Sequence, residues 1–441
     1  MLAKLRNPLA LILESIATTK HLLVQKKRRN RMDIWLIKIG ESLPIEEASR
    51  LFRVGTLASL LASRGHTVTW WTSTYDHFQK KQYRLSNTII PIAKNYNLHM
   101  LYVAGYQKNA SFRRLLHDYQ FARQFSAHSR TAKQPDLIFV SYPTPDLAKI
   151  AVDYASYHSI PIIVDIRDLW PDALLDLLPP IIQPMTRLAS IIFDWYNHRI
   201  FERATGIVAI SSIYLEWGLR YARRRRRSGD AVFYMGYPKK DIPSSLKQDA
   251  QEKWGEWNLD SSKLICCFFG NIGRHFDFHS IINAAKKLVY VEDDRFVFVI
   301  CGKGSHLSYY QQLAIDFPNI IFPGWVDYPQ IVTLMEISAI GLAPYATNAK
   351  MSLPNKPFEY FSGGLPVLSS LRGELELILA ENDCGLTYES NASAFLKALY
   401  SLADNPERRK RMGKNALHLF EHRFSAKVVY SDMIKFIETF V

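Results

Sequence analysis

The sequence predicts two α/β domains in tandem, each a doubly wound, mostly parallel sheet, and three observations predict it. Short β-rich runs alternate with helical stretches along most of the chain. The runs are apolar throughout instead of alternating, as strands covered on both faces are. The rhythm breaks once, at a polar stretch near the middle. A length of 441 residues exceeds what one hydrophobic core usually supports, and 48% hydrophobic with 13% aromatic content belongs to a folded chain.

The first strand is Ile34–Ile39, the helix after it runs from about Ala48 to Ser63, and Thr67–Thr72 completes a βαβ unit. Further strands are expected at Leu98–Val103, Asp136–Ser141, Pro161–Ile166, Gly206–Ile210 and Ala231–Tyr234. The polar stretch Pro238–Lys263, rich in Lys, Asp, Ser and Gln, reads as the crossing between domains. Strands resume at Leu264–Gly270, Arg295–Cys301, Asn319–Phe322, Ala339–Ala343 and Pro366–Ser369, and helices close the chain from about Ala392 to Val441. The domains are thus placed at 32–240 and 241–424, with a helix over 425–441 packing back on the first. In such sheets ligands bind beyond the carboxyl ends of the strands, and two facing domains make the cleft between them the default site.

No window holds the 18 or more apolar residues of a spanning helix, since Ala173–Phe193 is broken by Asp176, Gln183 and Arg187. The apolar run Leu9–Leu13 is short and lacks a cleavage site, which argues against a signal peptide. Of the four cysteines, Cys266, Cys267 and Cys301 lie on strand-like runs without metal-ligand spacing, as reduced core thiols do. The net charge of +14 is concentrated: residues 1–31 carry eight Lys/Arg against Glu14, and Arg223–Arg227 adds five more. Met32 reads as a natural start, so residues 1–31 are an appended segment or reflect an upstream start codon. Within it Leu9, Ile12, Leu13, Ile16 and Leu23 share a helical face ahead of the basic cluster Lys26–Arg31. Such a helix suits an anionic lipid surface, or else packs on the protein body or frays. Arg223–Arg227 likewise fits an anionic surface or a solvated loop tip.

The most informative stretch is Ser352-Leu-Pro-Asn-Lys-Pro-Phe-Glu-Tyr-Phe-Ser-Gly-Gly-Leu-Pro-Val, after a strand and the loop Pro344–Met351. Pro354 suits the first turn of a helix, whose unpaired N–H groups would favour a diphosphate. Lys356 can reach a phosphate, and Glu359, three residues on, can accept two ribose hydroxyls; the alternative is an ordinary surface ion pair between them. Gly302-Lys-Gly304 ends a strand and would let backbone approach a nucleotide base, or is a plain turn. Asp165, Arg167, Asp168 and Asp172 gather just after a strand, where four charges are costly unless used or paired. Arg167 could stabilise leaving-group charge and Asp168 orient or deprotonate an acceptor hydroxyl; alternatively Arg167 pairs with an aspartate to fix the turn. Asp293-Asp294 reads as a polar turn and not a metal site.

These motifs resemble glycosyltransferase family 4, especially its bacterial branch that builds lipid-linked surface polysaccharides. The marks are Arg50-Leu-Phe-Arg, Leu61-Ala-Ser-Arg-Gly-His-Thr-Val-Thr, Asp165-Ile-Arg-Asp-Leu-Trp-Pro-Asp, Phe269-Gly-Asn-Ile-Gly-Arg, Cys301-Gly-Lys-Gly and Pro354-Asn-Lys-Pro-Phe-Glu-Tyr, and they span Met32 to about Phe424. The resemblance implies the GT-B fold, two Rossmann-like domains facing a central cleft. It implies a nucleotide-sugar donor, retention of anomeric configuration, and neither metal nor other cofactor. Glu359 matches the second glutamate of the family's Glu-x7-Glu pair, which binds ribose, while the first falls on Met351. Arg274 matches one of two diphosphate cations, with Lys356 replacing the other. Gly273, Gly302, Gly304 and Asn355 complete the donor set. The acceptor-side loop comprises Gly40, Arg53, Asp165 and Asp172, with Arg167 and Asp168 as catalytic candidates; the histidine many relatives carry there is replaced by Arg167. The expected partners are the donor, a lipid-linked or other saccharide acceptor, and an anionic membrane met through residues 1–31 and Arg223–Arg227, on the cytoplasmic face. The apolar stretch Leu174–Ile200 is membrane-facing or core. A nucleotide-sugar epimerase of the same shape competes with this reading. A nucleic-acid-binding protein, suggested by the arginine run, fits less well, because no aromatics interleave it.

Overall fold

The computed structural model describes residues 31–45, 51–109, 111–172, 183–257, 259, 262–347 and 353–440, with backbone alone at 183–190. Residues 1–30, Met351 and the loop about it lie outside the described residues, as do Leu178, Ile181 and Ile182. The chain divides into two compact units, residues 1–233 with 430–441, and residues 234–429.

Among the described residues unit 1 holds ten strands: β1 Asp33–Ile37, β2 Thr67–Ser73, β3 Tyr75–Asp76, β4 Lys81–Gln82, β5 Thr88–Ala93, β6 Tyr96–Leu101, β7 Leu137–Tyr142, β8 Ile162–Ile166, β9 Gly206–Ala209 and β10 Asp230–Val232. Eight form one sheet in the order β10-β9-β8-β7-β1-β2-β6-β5, while β3 and β4 make a separate hairpin. All neighbours in the sheet are parallel except β5 and β6. The helices are α1 Arg53–Ser63, α2 Phe112–Ser129, α3 Pro145–His158, α4 Gln183–Arg203 and α5 Ser212–Ala222. Strands β7 and β8 are buried at every position, as central parallel strands are, and both are largely apolar, with Ser141 and Asp165 as their buried polar members. Ser111 and Ser211 cap α2 and α5 by accepting the Arg114 and Tyr214 amides.

Unit 2 begins with helix α6 Ser244–Gly255 and a six-stranded sheet: β11 Leu264–Asn271, β12 Phe296–Lys303, β13 Ile320–Gly324, β14 Ile340–Ala343, β15 Val367–Ser369 and β16 Gly385–Thr387. Its order is β13-β12-β11-β14-β15-β16, wholly parallel. The remaining helices are α7 His279–Tyr290, α8 Leu307–Leu313, α9 Tyr328–Ile337, α10 Lys356–Ser362, α11 Glu374–Glu381, α12 Ala392–Ala403, α13 Pro406–Leu419 and α14 Ala426–Ile437, the last running into the residues of unit 1. Phe436 of α14 packs edge-on to Phe233, and Phe440 fills the space above Gly206, where any Cβ would come within 2.7 Å of its ring.

Three features escape the sequence rhythm. The stretch 238–263, read as a polar crossing, contains α6, whose only buried side chains are Ala250 and Trp254; two apolar anchors are too few to announce a helix. Strand β5 alternates half-buried and exposed residues and carries Pro91, as an edge strand does. Helix α10 starts at Lys356, so the proline of its first turn is Pro357 and Pro354 precedes it.

Candidate functional site

In unit 2 the expected donor residues converge at the carboxyl ends of β11, β12 and β14. The two strand ends meet backbone to backbone: a Cβ on Gly302 would stand 1.8 Å from the Gly270 carbonyl oxygen, and one on Gly304 2.2 Å from that of Ile272. Both glycines have φ beyond +140°, which side-chain-bearing residues rarely adopt. The loop after β11 is pinned on both sides, since Ile272 bonds to Lys303 and His306, and Asp277 to Pro344. Gly273 is buried in this loop, while Arg274 projects into solvent and makes no hydrogen bond or ion pair among the described residues.

Lys356 differs from its expected role. Its ammonium donates to the Phe269 carbonyl at the end of β11, lies 3.9 Å from Glu359, and sits 4.9 and 5.2 Å from the ring centres of Phe268 and Phe269. Burial lowers its pKa, with Glu359 pulling the other way. A cation so enclosed acts on a ligand through its field; the exposed guanidinium of Arg274 is the one placed for contact. Glu359 occupies the first turn of α10, and beneath it the buried hydroxyl of Tyr345 has no hydrogen-bond partner. Asn355 is exposed at the N-cap without capping by its side chain.

Unit 1 gathers a second group at the carboxyl ends of β1, β7 and β8, and here two expectations are corrected. Arg53 lies on α1 and Asp165 inside β8, not on an acceptor-side loop. Both side chains are 0% exposed, and Arg53 binds Asp165 at 3.0–3.2 Å through Nε and Nη2. They form an ion pair closed off from solvent inside unit 1. Arg167 pairs with Glu41, not with an aspartate of its own turn, and Glu41 also accepts the Val54 and Gly55 amides at the start of α1, whose N-cap residue Phe52 offers no side-chain acceptor. Gly40, at φ +75°, makes the bend that brings Glu41 there. Asp168 is half-buried and accepts the Leu169 amide; burial raises its pKa against the nearby charges of Arg114 and Lys38. Asp172 accepts Nε1 of Trp217 at 2.9 Å and so fixes the turn.

The residues missed by sequence reasoning line a polar pocket at the end of β1: Lys38, His77, Arg114, His117 and Asp118, with Thr144. They come from a strand end, the β3–β4 hairpin and α2, so no local motif unites them. One signal was available, a carboxylate on the buried face of α2 beside Phe121, Ala122 and Phe125.

The basic run is partly committed to the fold. Arg224 binds the buried Asp230, which also accepts the Arg227 and Ile207 amides, leaving Arg225, Arg226 and Arg227 exposed. Of the apolar stretch about α4, Phe193 packs on the core while Ile191, Ile192 and Trp195 are exposed. Asp293 is held by Arg295, as the turn reading requires. Among the described residues no three His, Cys, Asp or Glu side chains gather as a metal site, and no helix is long and apolar enough to cross a membrane.

Two family models match the chain: "Glycosyltransferase Family 4" over residues 53–227 and "Glycosyl transferases group 1" over residues 249–418. No curated protein matches it by sequence. Solved structures similar to it include a sucrose-phosphate synthase from Thermosynechococcus elongatus, 16% identical over 93% of this chain and 99% of that one, with a TM-score of 0.62. HepE of Anabaena, in complex with UDP, is 12% identical over 92% and 100%, with a TM-score of 0.61. WaaG, a glycosyltransferase involved in lipopolysaccharide biosynthesis, is 12% identical over 90% and 98%, with a TM-score of 0.59. At these identities the likeness shows the fold.

Proposed function

The chain belongs to the GT-B glycosyltransferases of family 4 type, and from that premise we propose that it moves a sugar from a nucleotide-sugar donor to a hydroxyl of a lipid-linked saccharide during surface-polysaccharide or glycoconjugate assembly. Transfer proceeds with retention and without a metal. The observation that carries the donor assignment is the carboxyl edge of unit 2, where a side-chain-free backbone at Gly302 and Gly304 lies beside an exposed guanidinium, Arg274, and the Glu359 carboxylate. Backbone so bare admits a flat base, Arg274 meets the diphosphate, and Glu359 accepts the ribose hydroxyls. When the sugar–phosphate bond breaks, negative charge grows on the diphosphate, and Arg274 with the field of Lys356 stabilises it more than the ground state.

The lipid-linked acceptor is supported by unit 1. Phe112, Leu115, Leu116 and Tyr119 recur at helical spacing on α2 and are 41–78% exposed, while Ile191, Ile192 and Trp195 of α4 are also exposed. Arg113 and Arg123 are exposed on α2, and Lys149 and Arg199 stand over the Trp195 ring. An apolar stripe flanked by cations suits peripheral attachment to an anionic leaflet, with Arg225–Arg227 adding to it.

Isothermal titration with UDP, UDP-glucose and GDP sugars tests the donor site, with UDP, the ligand of the HepE structure, tried first. Glu359→Ala should weaken binding by about 10- to 100-fold, the worth of one or two hydrogen bonds to a carboxylate, with the melting temperature unchanged. Undiminished affinity in that variant would sink the ribose assignment.

A further inference from the structure

We propose that the polar pocket at the end of β1, lined by Lys38, Arg114, His117 and Asp118, is a subsite for an oxyanion, a phosphate or carboxylate carried by the acceptor. The proposal rests on the acceptor reading of unit 1 for the carrier, but the binding itself does not depend on transfer.

Two opposite charges share this pocket without meeting. Asp118 is 7% exposed, yet its carboxylate has no hydrogen-bond or ion-pair partner among the described residues. The Lys38 ammonium, half-buried, also has none. Buried polar groups are normally satisfied within the protein, so such a pair at the ligand-binding edge of a parallel sheet points to a partner from outside. Arg114 gives one bond to the Asn109 carbonyl, at 3.1 Å, and rests on the Trp170 ring, which leaves most of its five donors unused.

The sign of the field selects the ligand. Lys38, His77, Lys80 and His117 are all held down by burial first and by neighbouring cations next. Lys38 is lowered to about 8, with Arg167 opposing its charge. His77 falls to about 4 through Lys80, Arg114 and Lys38, and both His117 and Lys80 are lowered by Arg114. Of the acids beside the pocket, Glu41, Asp165 and Asp76 are already bound to Arg167, to Arg53, and to Tyr83 with two backbone amides, which leaves Asp168, an acceptor of the Leu169 amide, to offset Lys38 and Arg114 in part. The pocket is therefore electropositive despite Asp118, whose own carboxyl is pushed up to about 6, chiefly by burial. An arriving oxyanion would meet Lys38 and Arg114 and push the Asp118 pKa higher still, so that the acid takes up a proton on binding and donates a hydrogen bond to it. His117 donates Nδ1–H to the Ala104 carbonyl at 2.8 Å and turns its other nitrogen away from that bond. A neutral sugar or an ammonium group would use Asp118 as an ionised acceptor instead, and this difference makes the ligand class testable.

Full-length protein should be titrated with glycerol 1-phosphate and with glucuronate by calorimetry at pH 7, each in the presence of excess UDP to occupy a diphosphate site in unit 2. Saturable binding of either probe is expected, the phosphate alone marking a phosphate-bearing acceptor and the uronate alone an acidic sugar. Lys38→Met should weaken it at least tenfold and Arg114→Gln several-fold, with melting curves showing that both variants fold. Asp118→Asn should leave binding intact or tighten it two- to fivefold, because it removes a negative charge while retaining a donor. Binding that is absent, insensitive to Lys38→Met, or weakened tenfold by Asp118→Asn overturns the proposal. Loss of nucleotide-sugar binding with this subsite intact would instead count against the donor assignment.

Discussion

Arg53 and Asp165 provide the sharpest test of how unit 1 is built. Both side chains are wholly buried, and the guanidinium reaches the carboxylate through two nitrogens at 3.0–3.2 Å. Replacing Arg53 with Met keeps the volume and strands Asp165 in the middle of β8, between Ser141 of β7 and Val208 of β9. Removing one partner of a buried pair costs roughly 3–5 kcal/mol, because the survivor must stay charged without compensation or take up a proton. For a unit of this size that is a fall of about 10 °C in melting temperature, at roughly 2–4 °C per kcal/mol. Differential scanning calorimetry would read it as a shift in one transition, with the other unit's unfolding unmoved. A second substitution, Asp165→Leu in the Arg53→Met background, should recover most of the loss, since replacing both charges by apolar groups is often neutral. A shift under about 2 °C in the single variant, or no recovery in the double, would refute the reasoning. Titrations with acceptor-like probes should change little in the double variant, as expected of a pair with no exposed surface.

Three other outcomes are expected of the protein. Gly302→Ala should destabilise unit 2 by more than about 3 kcal/mol in urea unfolding, because its Cβ would lie 1.8 Å from a backbone oxygen at a φ of +144°; a loss under 1 kcal/mol would contradict that close approach. Phe112→Asp with Leu115→Asp should cut flotation with anionic vesicles about tenfold or more, each lost side chain removing roughly 1.5–3 kcal/mol of burial, while unit 1 stability stays within about 0.5 kcal/mol. Equal flotation would argue against a lipid-facing stripe. Asp118 has a folded pKa raised to about 6 from 3.8, so the folded state holds its proton more tightly and stability falls as pH rises between those values. Asp118→Asn should therefore be more stable than the parent above pH 6, by up to about 3 kcal/mol, with the advantage vanishing as pH drops below 4. An advantage independent of pH would show that the carboxyl does not titrate there.

What the sequence determined by itself was carried by local, repetitive signals. Largely apolar runs marked the central strands of both sheets to within a residue or two, because a strand buried on both faces admits a polar residue only where it finds a partner. The motifs that hold Arg274, Gly302, Gly304, Lys356 and Glu359 lie far apart in the chain, but each sits at the end of a strand or the start of a helix, and the fold carries those ends to one edge. Edge elements such as β5 and the lightly buried α6 stayed hidden, their patterns being set by one-sided packing that leaves little apolar periodicity. Only the tertiary structure decided which charges are partners. Arg53 and Asp165 are 112 residues apart, Glu41 and Arg167 are 126 apart, and Lys38 shares a pocket with Asp118 of a distant helix. Coulomb interactions and desolvation depend on distance in space and on the water removed, neither of which is written in chain spacing. Arg53 and Asp165, expected to face a ligand, hold β8 to α1, whereas Lys38 and Asp118 at the end of β1 have no ion-pair partner among the described residues.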